Sequence, residues 1–259
     1  MAVQDGSRCR LCGGDGALAV EDAPAAPGAG GDPAKVFGLE RWLGRGRGET
    51  REAGAYTLCP VCNDTAADWY LAEFRNWSRV AADLIATGPA DADLDRDPRP
   101  SWTTAELRDV RPARFLKQLL TMLVAIAPAG FAGAEHDELV AYAQAPGRRG
   151  LPSRYQVYLA LYRGPYARFV GYSVQLERAT GRPTQLIELA HPPFACVLSL
   201  TGEAPIETTN ISEFAELPID ESCVVDLDLQ NGFGHTPFPA DFRTLAAVER
   251  DREADRRAA

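Results

Sequence analysis

The sequence predicts an α+β protein: a small N-terminal zinc treble clef followed by a larger α+β domain with an antiparallel sheet. Three observations carry this. Four of six cysteines form two C-x-x-C pairs in the first quarter, Cys9/Cys12 and Cys59/Cys62. One helical apolar stripe follows the second pair. Downstream, two helical stretches precede a run of alternating or β-branched segments punctuated by Gly and Pro.

The elements follow in order. Each C-x-x-C pair supplies two thiolates from one turn, and Gly13 and Gly14 suit a tight turn after the first. The 46 residues Gly13–Leu58 separate the pairs and include the Pro/Ala/Gly stretch EDAPAAPGAGGDP and the Gly-rich RWLGRGRGETR. A helix follows Cys62, with Asp64 and Thr65 as N-cap types. Tyr70, Phe74, Trp77, Ala81 and Leu84 lie along one face of it. The Pro- and Asp-rich segment after that face reads as a linker, residues 88–101, which bounds a zinc domain at 1–87. The larger domain is expected over 102–245. It opens with an apolar helix over 112–126, followed by a helix over 135–144. Strands are expected over 155–162, 168–177, 184–190, 193–201 and 223–230. The apolar helix should pack on one face of that sheet. A charged helical tail closes the chain at 246–259.

Composition bounds the function. The chain has 259 residues, 46% apolar and 24% charged, with a formal net charge of −9. A basic field over the whole molecule, as needed to grip nucleic acid nonspecifically, is excluded. Residues 1–80 carry eleven acidic and nine basic side chains, so most of the acidity lies downstream. No secretory signal is read at the start, and the longest nearly apolar run, Leu119–Ala134, is broken by Pro128. A cytoplasmic protein without a membrane partner is therefore expected. Reduced thiols there point to metal or redox chemistry before disulfides.

Four thiolates in two pairs satisfy tetrahedral zinc. The metal would also add folding free energy to a Gly/Pro-rich segment with a thin core. Such a zinc has no open coordination position and performs no hydrolysis itself, so catalysis needs a second site. A four-cysteine iron centre and a redox C-x-x-C pair are the alternatives. Arg41, Arg45, Arg47 and Arg51, beside Trp42 and three glycines, form the candidate nucleic-acid surface, because guanidinium forks bind phosphates. Glu40, Glu49 and Glu52 offset part of that charge. Downstream, Cys196 and Cys223 read as core thiols. A catalytic grouping of His191, Cys196, Asp226 and His235 has no local support.

The order Cys9, Cys12, then Glu21-Asp22-Ala23-Pro24, then Leu58-Cys59, Cys62-Asn63 and the helix DTAADWYLAEF resembles bacterial HNH-type (ββα-metal) nuclease-like proteins. The resemblance covers about residues 7–85. In that family the frame is C-x-x-C, E-H-x-P-P, LC-x-x-CN. Its histidine is the general base, while the acid before it and a residue after the second knuckle hold one divalent ion, usually Mg²⁺. Carried over by position, Glu21 and Asn63 are the ligands, and Asp22 stands where the histidine should be. An aspartate of pKa near 4 is a far weaker base than a histidine near 6.5. The resemblance thus implies a zinc protein directed at DNA or RNA through its N-terminal domain, weak or inactive as a metal-dependent phosphodiesterase. The alternative is a non-enzymatic, zinc-stabilised interaction module whose downstream domain binds protein partners.

Overall fold

The computed structural model describes residues 8–14, 19–20, 35–36, 51–52, 56–87, 101–128, 131, 133, 135–162, 168–176, 182–202, 204 and 208–231. The chain is mixed helix and sheet, and its strand pairing is overwhelmingly antiparallel.

Two short ladders precede the first helix. β1 (Ala19–Val20) pairs antiparallel with β4 (Tyr56–Leu58), and β2 (Lys35–Val36) with β3 (Arg51–Glu52). β4 leads directly into α1, a continuous helical run over 60–87. It comprises an α-helix Pro60–Ala66, a π-helical stretch Ala67–Leu71 and an α-helix Ala72–Thr87. The helix begins on the second cysteine pair and not at Asp64. Cys59 is the extended N-cap residue and Pro60 takes the first helical turn. Proline suits that position because its missing N–H would have had no intrahelical partner. Thr65 sits inside the helix, its hydroxyl donating to Val61 O at 2.8 Å.

The expected stripe is the buried one: Tyr70, Phe74, Trp77 and Ala81 are buried and Leu84 packs against the core. α2 (Pro112–Ile126) has the expected bounds and is buried almost throughout, as a helix apolar all round should be. α3 (Asp137–Gln144) begins two residues later than expected.

The main sheet has seven strands. β5 (Ser101–Val110) pairs with β11 (Cys223–Asn231), and the order continues β6 (Gln156–Leu161), β9 (Phe194–Ser199), β8 (Pro183–His191), β7 (Arg168–Leu176). β10 (Thr209–Asn210) pairs with β6. Among the described residues, every pairing is antiparallel except the bridge Asn231↔Leu161, which joins β11 to β6 in parallel. The five expected strands are present as β6–β9 and β11. β5 was not anticipated: it begins at Ser101, inside the expected linker, and fills the gap before α2. Among residues 102–110 of β5, Ala105, Leu107 and Val110 are buried, too sparse an apolar pattern to read as a strand.

One face of the sheet packs on the helices. Trp77 of α1 stacks on Phe115 of α2 with ring centroids 4.0 Å apart. Phe115 meets Phe194 of β9 edge-on at 5.3 Å. Cys9, Leu11 and Leu58 belong to the same contiguous buried cluster as Phe115 and Leu198. The expected zinc domain and the α+β body therefore share one core. Close approach is extreme at Gly171 of β7, where a Cβ would collide with the Ile126 carbonyl at the end of α2.

Candidate metal centre

The two cysteine pairs meet at the junction of the N-terminal turn and α1. The first knuckle closes by Gly13 N–H donating to Cys9 O at 2.8 Å and Cys9 N–H to Gly14 O at 2.9 Å. Gly13 has φ +68°, a left-handed conformation that costs glycine nothing. In the second knuckle, Asn63 N–H donates to Cys59 O at 3.0 Å across the first turn of α1.

The four sulfur atoms of Cys9, Cys12, Cys59 and Cys62 all lie within 4.8 Å of one another. The Cys12 and Cys59 sulfurs are 3.7 Å apart. A tetrahedron with metal–sulfur bonds of about 2.3 Å has edges of about 3.8 Å, so the group fits one thiolate-bound ion. All six cysteines are free thiols. Among the described residues, this is the one group of three or more metal-ligating side chains close enough to hold an ion.

Backbone donors aim at the sulfurs. Cys59 N–H donates to Cys9 Sγ at 3.3 Å and Gly14 N–H to Cys12 Sγ at 3.4 Å. At Cys9, burial raises the thiol pKa, but N–H groups of Cys12, Cys59 and Leu11 outweigh it and bring the value to about 7. Cys62 moves the other way: burial, the Cys59 thiol and the nearby charge of Cys9 push it up. Four thiols packed together cannot all ionise without a cation. A bound ion removes that conflict, because a coordinated thiol is deprotonated outright.

The first knuckle is docked on the body. Leu11 is buried in the core, and Arg10 donates to Ala125 O at 2.6 Å, at the end of α2. Behind Cys62, a cavity of about 200 Å³ lies between α1, α2 and α3, walled by Leu11, Cys62, Thr65, Tyr70, Thr121 and Gln144.

The other candidate residues are distributed as follows. Asn63 is half-buried in the first turn of α1, beside the cluster. Arg51 opens β3. Glu21, Asp22, Arg41, Arg45, Arg47 and His235 lie outside the described residues, as do residues 88–100 and the expected tail at 246–259. The grouping of His191, Cys196 and Asp226 is not assembled. His191 is buried with neither ring nitrogen hydrogen-bonded, and the Cys196 thiol donates to Leu189 O at 3.5 Å. Asp226 is exposed on β11. Cys196 is a core thiol as expected, whereas Cys223 is half-exposed. Sequence reasoning missed Gln144, whose amide nitrogen lies 3.9 Å from Cys62 Sγ. No local motif marks a residue 82 positions downstream of its partner. No helix among the described residues is long and apolar enough to cross a membrane.

No protein-family model, curated protein or solved structure matches this chain.

Proposed function

We propose that the chain is a non-catalytic binding protein built around one structural zinc ion, held by Cys9, Cys12, Cys59 and Cys62 in a treble-clef-like unit. The convergence of the four sulfurs carries the reading. Four protein ligands leave no position for water or substrate, so the ion's work is to fasten the first knuckle to α1 and the body. Exposed Val61 and Trp69 on the knuckle half of α1 are apolar surface available to a protein partner.

A second reading has one observation in its favour. The antiparallel pair β1 and β4, with β2 and β3 between them in the chain, is followed by α1 with the second knuckle at its start, an arrangement like the ββα order of the ββα-metal nucleases. In that reading the unit is directed at DNA or RNA, with Arg41, Arg45, Arg47 and Arg51 on phosphates. Glu21 and Asn63 would hold Mg²⁺, and Asp22 would lie beside the attacking water. The aspartate in place of histidine makes cleavage weak or absent.

Metal analysis of the purified protein tests the first reading. One zinc per chain and a colourless solution are expected, and Cys12→Ser should lose most of the zinc. An iron-coloured protein would overturn it. Incubation with supercoiled plasmid in Mg²⁺ or Mn²⁺ separates the two readings. No nicking is expected; metal-dependent nicking that disappears in Asp22→Ala would establish the second reading instead. A salt-sensitive gel shift lost on mutating Arg45 and Arg47 would mark nucleic acid as the partner.

A further inference from the structure

Gln144 is the last residue of α3, and its amide donates to Cys62 Sγ. The C-terminal turn of a helix leaves carbonyls without intrahelical partners. Here side chains from the other two helices take them. Lys117 of α2 is buried, and its ammonium donates to Tyr142 O and, at 3.0 Å, to Ala145 O. The same ammonium lies 3.5 Å from the centre of the Tyr142 ring. Tyr70 of α1 donates its hydroxyl to Ala143 O at 3.1 Å. The backbone on both sides of Gln144 is thus fixed by buried hydrogen bonds. Its side chain stands at the cavity wall beside the sulfur.

Four thiolates on one divalent cation carry a net charge of −2, and that excess sits on sulfur. Cys9 and Cys12 each receive a backbone N–H from within the knuckles. The donor to Cys62 comes instead from the downstream body. We propose that Gln144 is a positioning residue of the metal centre: its amide N–H stabilises the Cys62 thiolate, so the placement of α3 sets the affinity for the ion. This rests on the zinc reading above. Partners of this kind change metal affinity by about 10–100-fold in other sites.

The test is a competition titration of the full chain with a chromophoric zinc chelator, together with the absorption spectrum of the cobalt-substituted protein. Gln144→Leu keeps the bulk and removes the donor. Gln144→Glu sets a carboxylate against the thiolates. Both should weaken zinc binding about tenfold or more. Both should also shift the sulfur-to-cobalt charge-transfer band, which loosened packing alone would leave in place. Thr121→Val, on the same cavity wall but without a sulfur contact, should match the wild type in affinity and spectrum. Should Gln144→Leu fail to fold, Gln144→Asn withdraws the amide by one methylene and should show the same loss. Wild-type affinity and an unshifted band in the folded variants would overturn the role of Gln144. A wild-type chain that takes up neither zinc nor cobalt would overturn the zinc reading and the proposal with it.

Discussion

At the scale of single residues, Glu188 is a buried carboxyl that works against the fold at neutral pH. It lies on β8, buried, and neither carboxylate oxygen has a hydrogen-bond partner. Burial alone raises its pKa to about 8. The folded state therefore holds a proton that the unfolded chain, with the carboxyl at its ordinary value of 4.5, has released at neutral pH. Where the native state binds more protons, stability falls as pH rises, here from about 4.5 through about 8. Glu188→Leu should remove the unsatisfied group and raise stability at pH 8 by about 1–3 kcal/mol. The gain should shrink toward pH 4. Urea unfolding of both proteins across that range checks it; a Leu variant less stable than wild type at pH 8 would show that the carboxylate has a partner. Nothing in the one-dimensional pattern TQLIELA marks this glutamate as buried. An alternating strand with a charged member reads as half-exposed, and only the burial of both faces of β8 over 186–191 puts Glu188 inside.

At the scale of elements, α1 joins the metal centre to the body. Its apolar stripe was legible because residues 70–84 recur at helical spacing, which no other backbone would bury together. Its start was not: Asp64 and Thr65 are better cap types than Cys59, yet the helix begins at Pro60. The cysteine pair has to sit at the helix end for its sulfurs to face the first knuckle, and that tertiary demand overrides cap preference. Trp77 stacks on Phe115 of α2 and lies edge-on to Phe214 at 5.9 Å. Trp77→Ala should cost about 3–5 kcal/mol. If α1 and the sheet form one core, hydrogen exchange should speed up in β6, β8 and β9 as well as in α1. Acceleration confined to α1 would mean that the N-terminal unit unfolds alone.

At the scale of the whole molecule, the four-cysteine site and the core are coupled. Leu11, Cys9 and Leu58 pack in the same cluster as the sheet residues, so on the proposed zinc reading loss of the ion would loosen an edge of the main core. If zinc binds there, free zinc about 1,000-fold above its dissociation constant would contribute about 4 kcal/mol. For a chain of this size that corresponds to about 10 °C in melting temperature. Calorimetry with and without a strong chelator should show a single transition moving down by that amount. A chain cut to 102–259 should fail to fold as a soluble monomer, because Phe115 and Phe194 lose the rings of Phe74 and Trp77. A well-dispersed NMR spectrum from that fragment would show two separable domains.

The sequence alone determined which four cysteines come together, the helix over residues 112–126 and five strands of the sheet. These rest on local physics: thiol spacing, apolar periodicity and β-branched runs act over a few residues and leave their mark in order along the chain. Only the tertiary structure decided that β5 joins β11 at one end of the sheet, that Glu188 is buried, and that Gln144 reaches Cys62. The shared core is of the same kind. Each depends on residues far apart in sequence meeting in space, and hydrophobic burial is non-directional: it does not record in advance which partner an apolar or polar side chain will find.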